Sequence, residues 1–161
     1  MPGKGANRET DPATTYTKNL NRFVEEARAA GAQPILVTSL ARRIFERDGK
    51  LRGELSPYAD AARKVATEQR VPLIDLYASS IALVERLGPA GVQPFEPVAP
   101  AKPGDKPASD AAPRRDGTHL NARGSLEFGA IVADELARVA PATQPYIRKA
   151  SRPSLEKSTA P

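Results

Sequence analysis

Residues 34–38 read PILVT, and residues 71–76 read VPLIDL. Both are short apolar runs with little polar alternation, which is typical of strands that are buried on both faces of a parallel sheet. Each run follows a segment in which apolar residues recur at helical spacing. The repeated order of helix and buried strand predicts an α/β fold, in which helices cover a parallel sheet.

Four amphipathic helices are predicted around these runs. They cover residues 15–30, 56–70, 79–87 and 122–140. Gly31 stands where the first helix should stop, Ser56 and Pro57 provide a cap and a proline at the first helical position, and Gly88 should end the third helix. Four aromatic residues lie on the apolar stripes and are predicted to be core residues: Tyr16, Phe23, Tyr58 and Phe128.

Two parallel strands are too few for an independent fold, because such strands are normally buried by neighbouring strands as well as by helices. The first predicted helix should also pack on a sheet that has already begun. We therefore expect the 161 residues to be the C-terminal part of a larger domain, with two strands and about four helices. The unpaired edge of the strand at residues 35–38 should expose apolar surface and make the protein poorly soluble.

The prolines divide the chain. Of the 16 prolines, seven lie between Gly88 and Pro113 and four from Pro141 onward. The distribution predicts a disordered segment over residues 1–13 and a domain over residues 14–140, within which residues 88–115 form a Pro-rich loop. Residues 141–161 are predicted to be a disordered basic tail.

Composition excludes several classes of function. Most of the net charge of +5 lies in the tail, and no aromatic stacking platform accompanies it, so nucleic-acid binding is not predicted. No apolar run approaches the ~20 residues of a membrane span, and the N-terminus lacks a signal-peptide segment, so the chain as written would stay in the cytoplasm. The absence of cysteine removes disulfides, thiolate metal sites and a cysteine nucleophile.

The candidate chemistry lies at Asp116-Gly117-Thr118-His119, in a loop before the last helix. His119 is the only histidine, and an Asp-x-x-His turn can bring the carboxylate to one ring nitrogen while the other stays free for a serine hydroxyl. The same spacing also fits an exposed histidine or a helix cap. One histidine without cysteine is a poor set of metal ligands, so no metal or other cofactor is predicted.

The stretch DGTHLN at residues 116–121, followed by Gly124 and an alanine-rich amphipathic helix, resembles the last conserved block of the SGNH (GDSL-like) hydrolases. Further segments, in the same order, resemble the rhamnogalacturonan acetylesterase-like branch of that superfamily. They are Tyr16, Asn19-Leu20, Phe23-Val24, residues 27–32 and 34–38, Arg42-Arg43, Phe45, Gly49-Lys50, and residues 58–61 and 71–76. The resemblance runs from about residue 10 to about residue 137. It implies the C-terminal part of a flavodoxin-like three-layer α/β/α fold.

By this resemblance, Asp116 orients His119, which acts as general base and then general acid in the hydrolysis of an ester such as a sugar O-acetyl group. The implied partner is an acetylated carbohydrate substrate. Arg42 and Arg43 follow the first strand and are candidate ligands for the carboxylate of an acidic sugar, unless at least one is merely solvated. Asp75 ends a buried strand and is predicted to have a structural role.

Three functional blocks of the family have no counterpart in this sequence: the Gly-Asp-Ser nucleophile, the glycine of the second block and the asparagine of the Gly-x-Asn-Asp block. In the family they precede the helix that begins near residue 14. No serine of the chain lies in a Gly-Asp-Ser sequence, and Ser39 and Ser79 follow the wrong strands. Since each oxyanion donor is worth about 10²- to 10³-fold in rate, the chain alone is expected to be inactive. We expect Met1 to mark a truncated gene or a misplaced start codon.

Three interpretations stay open at this point. The first is the C-terminal part of an SGNH-type carbohydrate esterase. The second is a non-catalytic remnant that serves as an interaction module or complements a separate N-terminal fragment. In the third, Asp116 and His119 are accidental neighbours in a generic α/β domain. Complete relatives are often secreted or periplasmic, so the compartment of a complete enzyme is left open.

Overall fold

The computed structural model describes residues 10–98 and 114–148. The elements are α1 (Thr17–Ala29), β1 (Leu36–Val37), α2 (Ser56–Gln69), β2 (Leu73–Ile74), α3 (Leu76–Val92) and α4 (Ala122–Val139). Shorter helical turns cover Pro12–Tyr16, Gln93–Phe95 and Pro141–Tyr146. Within the described ranges, no helix is both long enough and apolar enough to cross a membrane.

The two strands form a parallel pair, with Leu36 opposite Leu73 and Val37 opposite Ile74. Parallel strands need a crossover connection, and α2 provides it. The predicted α/β fold is confirmed, and both strands lie inside the predicted runs although each is shorter than predicted. In the described part of the chain, β1 has a strand neighbour on one edge only.

The first two helices end on residues in the left-handed conformation. Gly31, with φ of 76°, follows α1 at the predicted position, and the Ala32 N–H closes the turn by donating to Ala27 over 2.9 Å. Arg70, with φ of 51°, ends α2 in the same conformation. A non-glycine residue pays about 1–2 kcal/mol for this backbone geometry. The turn at Arg70 directs the chain into β2.

The first part of α3 ends at Gly88, as predicted, although a further helical stretch follows directly. Gly88 has φ of 66° and ψ of −179°, which kinks the helix, and Pro89 then starts a second helical stretch up to Val92. Val92 and Phe95 are both 1% exposed and pack in the core. The start of the predicted Pro-rich loop is therefore folded, because it buries two large apolar side chains. Residues 99–113 lie outside the described residues.

Among residues 10–98 and 114–148, the core has two parts. The larger comprises Leu83, Val84, Val92, Phe95 and Phe128, and the smaller comprises Ala41, Ala59 and Tyr77. The larger cluster joins α3 to α4, while α2 contacts both α1 and β1. The rings of Phe95 and Phe128 meet edge to face, with centroids 5.9 Å apart, so the predicted core position of Phe128 is confirmed.

The predicted core stripe of α1 is wrong at one position. Phe23 is 51% exposed, whereas the neighbouring Val24 is 1% exposed and points inward. Tyr16 and Tyr58 are half-buried against each other, with ring centroids 5.2 Å apart, and burial raises the pKa of Tyr16. On β1, Val37 is 46% exposed, which fits the apolar surface predicted for this strand. Poor solubility stays a prediction.

The predicted domain boundaries also stay predictions. The turn Pro12–Tyr16 crosses the boundary proposed before residue 14. The turn Pro141–Tyr146 extends the ordered chain into the region that was assigned to the basic tail. Residues 1–9 and 149–161, which carry the rest of both predicted disordered segments, lie outside the described residues.

Candidate active site

The Asp116–His119 turn is attached to two other segments of the chain. The carbonyl of Gly117 accepts a 2.8 Å hydrogen bond from the Arg43 N–H, which lies in the loop after β1. The Asp116 N–H donates to the carbonyl of Pro97 over 3.0 Å, and Arg115 forms an antiparallel bridge with Val98. The turn therefore belongs to the end of the molecule where the loop leaving β1 lies, as expected for a functional site in an α/β fold.

Asp116 and His119 are in direct contact. The Nδ1 atom of His119 lies 2.6 Å from Oδ2 of Asp116. The other carboxylate oxygen accepts two main-chain hydrogen bonds, from Thr118 over 2.8 Å and from His119 over 3.1 Å. Both oxygens of Asp116 are thus used inside the turn, and the carboxylate cannot rotate without losing three hydrogen bonds.

These hydrogen bonds decide which ring nitrogen carries the proton. They lower the pKa of Asp116 to about 2, the bond from the His119 side chain being the largest cause and the two main-chain bonds coming next. At neutral pH the carboxylate is ionised and can only accept hydrogen bonds, so Nδ1 must be the donor. In a neutral imidazole the lone pair then lies on Nε2.

The ring of His119 is open to its surroundings. Its side chain is 77% exposed, while that of Asp116 is 32% exposed. Nδ1 is occupied by the carboxylate, and the exposed part of the ring carries the basic Nε2. The turn can therefore present an oriented proton acceptor to a hydroxyl group that approaches from outside the described residues.

Asn121 fixes the start of α4 directly after the turn. Its Oδ1 accepts from the Gly124 N–H over 2.9 Å, which makes it the N-cap, and its Nδ2 donates to Pro94 and Glu96 carbonyls over 2.9 and 3.2 Å. Its main-chain N–H donates to Phe95 over 2.9 Å. One side chain thus caps the helix and joins it to the segment after α3.

Two glycines permit the close packing around the turn. A Cβ on Gly117 would lie 2.9 Å from the carbonyl oxygen of Arg43, and a Cβ on Gly124 would lie 2.7 Å from that of Phe95. Both obstacles are main-chain atoms, which cannot move aside as a flexible side chain can. Any larger residue would therefore push the turn or α4 away from its supports.

The two candidate arginines lie in different environments. Arg42 forms an ion pair with Glu54, and its side chain is 18% exposed. The Arg43 side chain is fully buried, and its Nη2 donates to the main-chain carbonyl of His119 over 2.6 Å. The structure thus brings Arg43 to the Asp116–His119 turn and directs Arg42 to Glu54. A substrate-binding role for either arginine stays a prediction, and the burial of Arg43 counts against its direct contact with a ligand.

Sequence reasoning missed Glu96. This residue is 6% exposed and lies 3.5 Å from Nε of Arg43. Burial raises the pKa of Glu96, while the positive charges of Arg43 and Arg115 oppose that rise. The signal that could have revealed this segment is Phe95, a large apolar residue in a stretch that otherwise reads as an unpacked Pro-rich loop.

Asp75 connects the two strands at their carboxyl ends. Its carboxylate accepts from the hydroxyl of Thr38, from two nitrogens of Arg63 and from the Ala78 N–H at the start of α3. The hydrogen bonds from Arg63, Ala78 and Thr38 outweigh the opposing effect of burial, the largest single influence, and lower the pKa of Asp75. Such contacts fit the structural role predicted for this residue.

The described side chains offer no metal centre: nowhere in these ranges do three or more histidine, cysteine, aspartate or glutamate residues come together as ligands. The chemistry available at the turn is that of an oriented base beside an ionised carboxylate.

Two curated proteins of Bacillus subtilis strain 168 are similar in sequence. The rhamnogalacturonan acetylesterase RhgT is 34% identical over 128 residues, which are 79% of this chain and 53% of RhgT. The probable rhamnogalacturonan acetylesterase YesY is 29% identical over 143 residues, which are 88% of this chain and 60% of YesY. The chain thus spans little more than half the length of these relatives. No family model and no solved structure matches it.

Proposed function

Because the chain is a relative of rhamnogalacturonan acetylesterases, a relationship consistent with the SGNH hydrolases, we propose that it supplies the acid–base half of a serine esterase. The observation that carries this proposal is the 2.6 Å contact between Asp116 Oδ2 and His119 Nδ1 beside an exposed imidazole. The nucleophilic serine and the oxyanion donors would come from sequence outside these 161 residues. That sequence would be either part of the same polypeptide or a separate N-terminal fragment.

The proposed reaction uses the two nitrogens of His119 differently. Nε2 takes the proton of a serine hydroxyl while the serine oxygen attacks the ester carbonyl carbon, and the resulting imidazolium returns that proton to the leaving alcohol. A water molecule then repeats both steps on the acyl-enzyme and releases acetate. Asp116 stays ionised throughout, holding Nδ1 and stabilising the imidazolium.

The proposed substrate is an acetyl ester on a rhamnogalacturonan-type carbohydrate. The support for this class of substrate is the activity after which the relatives RhgT and YesY are named. The turn itself supports ester hydrolysis in general, because an Asp-oriented histidine activates a serine whichever acyl group is transferred.

A second candidate function is that of a non-catalytic module that binds an N-terminal fragment. The exposed Val37 on β1 favours it, since an apolar strand with an unpaired edge can accept a further strand. In this case the fragment would bind, but His119 would not activate its serine.

Covalent labelling separates the two candidates. The full chain is mixed with an N-terminal segment that carries a Gly-Asp-Ser block, the complex is isolated by size exclusion, and labelling of the serine by a fluorophosphonate is followed. We expect labelling that disappears in His119→Ala and persists in Asp48→Asn, a change in a carboxylate of an exposed ion pair. A complex that forms but whose serine is labelled equally with and without His119 would support the binding module.

A further inference from the structure

Arg43 is buried in a way that is unusual for a side chain in a loop. None of its side-chain surface is exposed, and its guanidinium lies 6.0 Å from the ring centroid of Phe128. Nη2 donates to the carbonyl of His119 over 2.6 Å, and the main-chain N–H of the same residue donates to Gly117 over 2.8 Å. Arg43 therefore holds the turn at two points, one on each side of Thr118.

Glu96 provides the opposing charge. It lies 3.5 Å from Nε of Arg43, and the residues around it hold the other side of the turn. Pro97 accepts from Asp116, Phe95 accepts from the main chain of Asn121, and the carbonyl of Glu96 accepts from the Asn121 side chain. The turn thus lies between the loop after β1 that carries Arg43 (the Arg43 loop) and residues 95–97 (the Glu96 segment).

The arrangement is not optimised for stability. Nε and Nη1 of Arg43 are buried without hydrogen-bond partners in the described structure, and burial lowers the pKa of this guanidinium despite the nearby Glu96 and Asp116. A buried charge with unmatched donors costs free energy that a well-packed apolar side chain would not. A buried ion pair of this kind is better explained by the geometry that it imposes on its neighbours.

We propose that Arg43, neutralised by Glu96, is a positioning residue that fixes the direction of the His119 imidazole through the main-chain carbonyl of His119. An apolar residue would fill the same space but would leave this carbonyl without its donor, and the turn could then rotate away from the Arg43 loop. The proposal concerns the geometry of the turn, and its consequence for catalysis rests on the proposed esterase function.

The only histidine of the chain allows a direct test. In the full chain labelled with ¹⁵N-histidine, long-range ¹H–¹⁵N correlation spectra report which ring nitrogen carries the proton. We expect one tautomer at neutral pH, with the proton on Nδ1. In Arg43→Met the ring should keep this tautomer, because Asp116 sets it within the turn. The ¹⁵N and ¹H shifts of the imidazole should nevertheless move, because the turn changes its position relative to the loop that carries Arg43. Arg43→Lys, which keeps the charge and a donor group, should restore the wild-type shifts in part.

The matched control is Arg63→Met, which removes a half-buried ion pair to Asp75 away from the turn. It should lower stability without changing the His119 spectrum. If Arg43→Met does not fold, Glu96→Gln takes its place in the test. This change keeps the shape of the Glu96 side chain and removes the charge that neutralises Arg43. A folded Arg43→Met or Glu96→Gln protein with the wild-type imidazole spectrum would overturn the proposal.

A second readout keeps this proposal apart from the proposed function. In the complex with a Gly-Asp-Ser segment, Arg43→Met should lower kcat by roughly 10- to 100-fold with little change in KM, as expected for a small misplacement of a catalytic group, and Arg43→Lys should recover part of this loss. If the spectrum changes but the wild-type complex has no esterase activity, the positioning role stands and the esterase function fails. If the complex is active and Arg43→Met has the wild-type kcat, the positioning role in catalysis is refuted.

Discussion

The guanidinium of Arg43 donates a 2.6 Å hydrogen bond to the main-chain carbonyl of His119, across 76 residues of sequence. The main-chain N–H of Arg43 donates a second hydrogen bond, to the carbonyl of Gly117. These two hydrogen bonds attach the candidate catalytic turn to the loop after β1.

Gly117→Ala should disturb the turn itself. The added Cβ would lie 2.9 Å from the carbonyl oxygen of Arg43 and 3.2 Å from Cγ1 of Ile44, so the turn must move or the Arg43 loop must yield. Overpacking of this kind costs about 1–3 kcal/mol. Urea unfolding should show this loss, together with a changed His119 imidazole spectrum. A protein of wild-type stability and spectrum would show that the contact is looser than the structure indicates.

Two glycines of α4 should respond to alanine in opposite directions. Gly124→Ala places a Cβ 2.7 Å from the Phe95 carbonyl oxygen and should destabilise the protein by about 1–3 kcal/mol. Gly129 has no atom within 4 Å of an added Cβ, so Gly129→Ala should stabilise the helix by about 0.5–1 kcal/mol. Thermal unfolding should show a lower Tm for Gly124→Ala and a higher Tm for Gly129→Ala than for the wild type. Equal shifts in Tm would refute the described packing of α4 on Phe95.

The Asp116 carboxylate should contribute to stability in a defined pH range. Its pKa falls from 3.8 to about 2 on folding, so the unfolded state binds the proton first as the pH falls. The contribution is complete above about pH 4 and is lost progressively between about pH 4 and pH 2. Urea unfolding of wild type and Asp116→Asn should therefore give free energies that differ most near neutrality and converge in acid. A difference that is independent of pH would contradict the low pKa.

The exposed apolar side chains of α1 and β1 should promote self-association. Phe23 is 51% exposed and Val37 is 46% exposed, and the edge of β1 has no neighbour among the described residues. The double variant Phe23→Gln, Val37→Thr should be more monodisperse in analytical ultracentrifugation at equal stability. Val24→Ala is the contrasting change, since this buried side chain should affect stability and not association. If the double variant sediments like the wild type, self-association does not depend on these two side chains.

The sequence predicts local features of this protein better than long-range ones. The contact between Asp116 and His119 could be predicted because both residues lie within one turn, where their spacing in sequence restricts the geometry. The strands could be predicted because burial on both faces leaves an apolar run without alternation. In contrast, the burial of Arg43 depends on Glu96 and Phe128, which are distant in sequence. From the local sequence alone, a charged side chain in a loop is expected to be exposed to solvent.

Two errors have related physical causes. The proline-rich composition of the segment after Gly88 predicted a loop, but Val92 and Phe95 gain enough from burial to fold it. The helical spacing that placed Phe23 in the core did not specify how wide the buried face of α1 is. In both cases tertiary packing determines which side chains are buried. The periodicity of the sequence does not specify that packing.

The most direct test of the central claim is the rate of p-nitrophenyl acetate hydrolysis by the complex of the full chain with a Gly-Asp-Ser segment. The complex should hydrolyse the ester, and His119→Ala should lower kcat by about 10³-fold or more, with a large loss also in Asp116→Asn because the wrong tautomer is then favoured. Asp48→Asn should have the wild-type rate. Hydrolysis that continues at the wild-type rate in His119→Ala would contradict the assignment of the Asp116–His119 turn as the acid–base half of an esterase.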